Sequence, residues 1–127
     1  MNKIIKCIIV LLTLSGCQFA PTFNPTVNEK LADVYINANT IANNCSRVTP
    51  TQIFNLLKLP TLQIIEMTKY TTTSKPVYNS SHDLLKEING FVSIVRANSK
   101  TGLPINTVYC KDKMNIIKLT VTAIIKP

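Results

Sequence analysis

The chain has 127 residues, with 14 Lys plus Arg against 6 Asp plus Glu and a formal charge of +8. Three glycines cannot build a glycine-rich phosphate loop, and a single histidine, His82, with no C-x-x-C pair offers no metal cluster. The acids are spread along the chain, and Glu29 and Asp33, four apart, suit the solvated face of a helix rather than paired-carboxylate catalysis. No catalytic residue, metal ligand or cofactor is expected, and no internal repeat or low-complexity segment is present.

Lys3 and Lys6 open the chain with positive charge, and Ile4 to Leu14 is a largely apolar run. At about ten residues it is too short to cross ~30 Å of hydrocarbon as a permanent helix. A basic start, an apolar middle and small residues at the end have the layout of a secretory signal. Leu14-Ser15-Gly16-Cys17 then resembles the lipobox of bacterial lipoproteins and matches it at every position. The resemblance implies that residues 1–16 are a signal peptide, that Cys17 receives a diacylglyceryl thioether, and that its freed amino group is acylated, typically with palmitate. Each buried methylene contributes ~0.8 kcal/mol, so two or three chains anchor durably. In lipoprotein sorting an aspartate after the lipidated cysteine favours retention at the inner membrane. Gln18 stands there, which implies the outer membrane, with the domain facing the periplasm.

Removal of residues 1–16 leaves 111 residues, one domain's worth, with 12 basic side chains against 6 acids. The basic residues are dispersed, Lys111 to Lys113 being the densest spot, and no aromatic residues interleave with them. Nucleic-acid binding is therefore not expected; anionic headgroups or an acidic protein partner suit the charge better. Cys7 leaves with the signal peptide and Cys17 carries lipid. Cys45 and Cys110 remain, and in an oxidising compartment they are expected to pair. Closing a loop of that length would stabilise the fold by ~4 kcal/mol in the chain-entropy model.

Residues 17–26 carry two prolines and read as a lipidated tether, spanning about 25–30 Å when extended. Thr26 and Glu29 have capping-box spacing. Val27, Leu31, Val34, Tyr35, Ala38, Ile41, Ala42 and Cys45 then follow one face of an amphipathic helix. Thr49, Pro50 and Gln52 start a second helix that Pro60 is expected to end. Residues 61–73 are ambiguous: Thr and Tyr favour a strand, from about Ile64, while Leu62, Ile65 and Met67 leave a short helix open. Ser80-Ser81-His82-Asp83 contains the residue types of a hydrolase triad, but neighbours at a helix start do not converge, and the set reads as a cap. That helix is expected to stop at Gly90. Residues 91–97 and 103–110 read as an antiparallel pair around a turn at 98–102. Ile117, Leu119, Val121, Ala123 and Ile125 alternate as a final strand over 116–125. The expected architecture over 27–127 is α+β: two or three helices on a small antiparallel sheet of three to four strands, with one disulfide.

A tethered, disulfide-closed domain without catalytic machinery acts by binding. In size, anchor and cysteine use, the chain is loosely similar to small pilotin-type outer-membrane lipoproteins. That resemblance implies an accessory or assembly role for a secretion, pilus or conjugation machine, with a secretin or other channel as partner. The alternative is a phage- or plasmid-encoded exclusion lipoprotein that blocks an outer-membrane receptor from the periplasmic side, and the short tether suits it. The expected partner surface lies on helix 27–45 and the sheet edge ending in 116–125, represented by Tyr35, Ile41 and Val121.

Overall fold

The computed structural model describes residues 25–70 and 74–125. The expected signal peptide, Cys17 and the expected tether up to residue 24 lie outside them. Among the described residues there are four helices and no strand, so the expected antiparallel sheet is wrong and the fold is all-α. Helix α1 is Pro25–Ala42, followed by a 3₁₀ turn at Cys45–Arg47. Helix α2 runs through Pro50–Ile53, a wide π segment at Phe54–Lys58, and Leu59–Thr68 without a break. Helix α3 is Lys75–Thr101 and α4 is Thr107–Ile125. Each helix packs on the next and α4 closes back on α1, giving a four-helix bundle.

One spacing explains the bundle. The buried residues of α1 are Val27, Leu31, Val34, Ala38 and Ile41, at steps of four and three. Helix α4 repeats that series with Cys110, Met114, Ile117, Val121 and Ile124. Helix α3 extends it through Val77, Ser81, Leu84, Ile88, Phe91 and Val95. Alternating steps of four and three keep one stripe facing a neighbouring helix, which is the seam of a bundle.

Helix α2 departs from the series by one residue. Its buried positions Ile53, Leu57, Thr61, Ile64 and Thr68, with Ile65 beside them, carry an extra residue after Leu57, and the wide π turn at Phe54–Lys58 absorbs it. Without that insertion Pro60, rather than Thr61, would fall on the core stripe. Pro60 therefore does not end the helix, as its sequence position suggested. A proline in a helix lacks the amide that would serve the carbonyl four residues back, here that of Leu56. The Asn37 side chain of α1 donates to this carbonyl at 2.9 Å. The hydroxyls of Thr61 and Thr68 donate to the Leu57 and Ile64 carbonyls at 2.7 and 2.8 Å, so both sit in the apolar interior with their polar atoms satisfied.

The helix starts and stops revise other expectations. Thr49 and Gln52 do form a reciprocal capping box, with bonds of 3.2 and 3.1 Å, behind Pro50. Helix α1 begins at Pro25, so Thr26 lies inside its first turn, and Cys45 lies in the turn beyond its end. Ser80 to Asp83 sit within α3, not at its start, and Gly90 does not stop it. An exposed glycine costs a helix ~1 kcal/mol, too little to interrupt a stripe that continues through Phe91 and Val95. The stop comes at Gly102, whose φ of 71° is the left-handed value that closes a helix and whose amide donates to the Ser99 carbonyl at 3.3 Å. Asn106 caps α4 by accepting from the Tyr109 amide at 3.0 Å. In place of the final strand, Ile117, Val121 and Ile124 face the core, whereas Leu119 and Ala123, inner-facing in the strand reading, are exposed.

Cys45 and Cys110 are bonded, with 6.0 Å between their Cα atoms. The bond joins the turn after α1 to the first turn of α4, so these two helices run antiparallel.

Candidate partner-binding surfaces

The three residues expected to meet a partner have different positions. Tyr35 is 42% exposed, but Ile41 is 4% and Val121 0% exposed, and both belong to the core. The strand reading had put Val121 on a sheet edge; on a helix it falls on the buried stripe. The segments themselves, α1 and 116–125, do adjoin. Tyr35 of α1 and Asn115, Lys118, Leu119 and Thr122 of α4 line a surface groove of about 290 Å³. The Lys118 ammonium stands 5.7 Å from the Tyr35 ring centroid and donates to the Asn39 side-chain oxygen at 3.4 Å. Such a cation over an aromatic face is worth about 0.5–1 kcal/mol at an exposed site and holds the ring in place. Ile36 and Leu119 add exposed apolar surface on these helices. The strand reading had turned Leu119 inward, and Ile36 went unremarked in the sequence, although it lies off the α1 core series and is findable as an outward apolar residue.

A second concavity lies at the disulfide end of the bundle. It has a volume of about 400 Å³ and is walled by the Cys45–Arg47 turn, the last turns of α3 and the 102–105 loop. Val48, Val95 and Ile105 supply apolar surface, and Ser46, Asn98 and Ser99 supply polar groups. Leu103, on its wall, is 67% exposed, and Val108 in the first turn of α4 is 69% exposed. The charged residues of this end are Arg47, Arg96, Lys100 and Lys111 against the single acid Asp112. At the opposite end, where the chain enters α1, Glu29, Asp33, Glu66 and Asp83 stand against Lys30, Lys69 and Lys75. Hydrogen bonding to Tyr70, then the charges of Tyr70 and Glu66, holds the Lys69 ammonium above its ordinary pKa. The one ion pair among the described residues, Lys113 with Glu87, bridges α4 and α3 on the bundle's flank. The cations of the disulfide end are exposed and outside any ion pair.

The residue types of a hydrolase triad do not converge. Ser81 is buried, whereas His82 and Asp83 are exposed; His82 meets Tyr78 edge-on with ring centroids 4.6 Å apart. Among the described residues no group of His, Cys, Asp and Glu could hold a metal ion, and no helix is long and apolar enough to cross a membrane. Comparison with protein-family models, with curated proteins and with solved structures finds no match.

Proposed function

We propose that this protein is a non-enzymatic, lipid-anchored partner of an outer-membrane protein. It would act from the periplasmic side as an accessory or assembly factor, in the manner of a pilotin for a secretin or other channel. The observation that carries this is the lipobox at Leu14 to Cys17, eight residues before the first helix of a bundle. Eight residues extended reach about 25 Å, so the bundle would stay near the lipid surface. The groove of Tyr35 and Leu119 supports a binding role: Tyr, an aromatic with a polar tip, is enriched where proteins meet.

Two experiments test this. Cys17→Ala should abolish labelling with radioactive palmitate and release the protein from the membrane, or leave it unprocessed. A variant still cleaved and tightly membrane-bound would overturn the anchor. A photo-crosslinking residue in place of Leu119, followed by mass spectrometry of the product, should recover a secretin or another ring component. Recovery of a receptor barrel instead would point to the exclusion role, checked by protection of cells from phage or a conjugating donor.

A further inference from the structure

We propose that the disulfide end of the bundle docks an acidic segment of a protein partner, seating an apolar side chain of that segment in the cleft between the Cys45–Arg47 turn and the end of α3. This surface is separate from the Tyr35 groove and does not depend on the lipid anchor.

Charge distribution supports it first. Were the basic residues present for solubility alone, they would have no reason to collect at one end. Instead the end where the chain enters α1 has four acids to three cations, and the disulfide end has four cations to one acid. None of the four lines the cleft itself, and Arg47 borders the neighbouring groove of Ile41 and Gln52. Arg47 and Lys100 nevertheless adjoin the cleft residues Ser46 and Ser99 in the chain, and like charges collected at one end of the bundle raise a positive potential that draws in an opposite charge.

Shape then selects the class of partner. The cleft is concave, about 400 Å³, and its open lining is more polar than apolar. Val48 and the nearly buried Val95 and Ile105 contribute to it, and the exposed Leu103 on its wall is its main apolar contact. A flat anionic bilayer would leave such a concavity unfilled. Stacking of nucleic-acid bases needs exposed aromatic rings, and at this end Tyr109 is half-buried and packed against Phe91, with 6.2 Å between ring centroids. A peptide segment satisfies all three features. Its apolar side chain fills the cleft, its backbone meets the hydroxyls and amide of Ser46, Asn98 and Ser99, and its carboxylates meet Arg47 and Lys100. Guanidinium pairs with carboxylate at two points, which fixes orientation as well as adding attraction.

The test uses the full-length protein purified from whole cells with its Cys45–Cys110 disulfide intact. The probe is a fluorescent twelve-residue peptide of Glu and Asp with one central Leu, followed by fluorescence anisotropy at low salt. Binding is expected, weakened about tenfold or more in R47E/K100E at unchanged melting temperature, and weakened again when the central Leu is replaced by Gly. A photo-crosslinking residue at position 103 should attach to the same peptide. No binding, equal binding by R47E/K100E, or indifference to the central Leu would overturn the proposal. So would displacement of the peptide from the position-103 crosslink by anionic phospholipid vesicles or duplex DNA at lower concentration than unlabelled peptide. Failure of palmitate labelling would leave this result standing, because the lipid anchor is tested separately.

Discussion

The bond from Asn37 to the Leu56 carbonyl holds together two irregularities of α2, the wide turn at Phe54–Lys58 and the proline that follows it. Asn37→Ala removes the donor and leaves a part-buried carbonyl that Pro60 cannot serve. An unsatisfied acceptor of this kind costs about 1–2 kcal/mol, which for a domain of this size lowers the melting temperature by about 4–10 °C. In Pro60→Ala the amide at position 60 is restored and can serve the Leu56 carbonyl, so Asn37→Ala in that background should cost much less. The expected coupling in the four-member cycle is about 1 kcal/mol. Thermal and urea unfolding followed by far-UV circular dichroism, with the disulfide intact, measures it. If the two substitutions add within about 0.3 kcal/mol, Asn37 is not compensating for the proline and the account of α2 is wrong.

Three further outcomes are expected of the same unfolding assay. Cys45→Ser should lower stability by up to ~4 kcal/mol, and reductant should bring the parent protein down to the variant's level while leaving the variant unchanged. Gly90→Ala should raise stability by about 0.5–1 kcal/mol, since the added Cβ meets nothing nearer than the end of the Lys113 side chain at 4.0 Å, whereas Gly102→Ala should lower it by about 1 kcal/mol because alanine resists a φ of 71°. Ser81→Ala should stabilise by about 1 kcal/mol, because the Ser81 hydroxyl is buried without a hydrogen-bond partner.

The α1 stripe, the Thr49 capping box and the Cys45–Cys110 pair were legible in the sequence because each rests on local spacing or on the arithmetic of a few cysteines. The sheet was misread because two residues were given more weight than their energies allow. Gly90 reads as a stop, yet Val77, Leu84, Ile88, Phe91 and Val95 keep the same step on both sides of it, and a stripe of about five turns outweighs one exposed glycine. Pro60 was read likewise, and the compensation, a π turn plus a donor from another helix, is tertiary and has no local signature. In 116–125 the strand and helix periods share residues: Ile117 and Val121 suit both. Only the continuation back through Met114 and Cys110 separates them. The partner surface fared accordingly, with Tyr35 exposed and Ile41 and Val121 turned into the core.

The misreading of α4 has a physical basis beyond pattern. Nine of its 19 residues are β-branched: Thr107, Val108, Ile116, Ile117, Thr120, Val121, Thr122, Ile124 and Ile125. Relative to alanine they disfavour the helix by roughly 4–5 kcal/mol in sum, and a segment this short would not persist as a helix alone in water. Its helicity is imposed by the bundle. The hydroxyls of Thr120 and Thr122 bond back to the Ile116 and Lys118 carbonyls, Asn106 caps the first turn, and five residues enter the core. Cys110 stands in that same first turn, so the disulfide fastens this helix to the turn after α1. Helix α4 also supplies four residues of the Tyr35 groove and one of the four cations of the basic end. Both surfaces therefore depend on α4 being held in place, and breaking the disulfide should loosen them together.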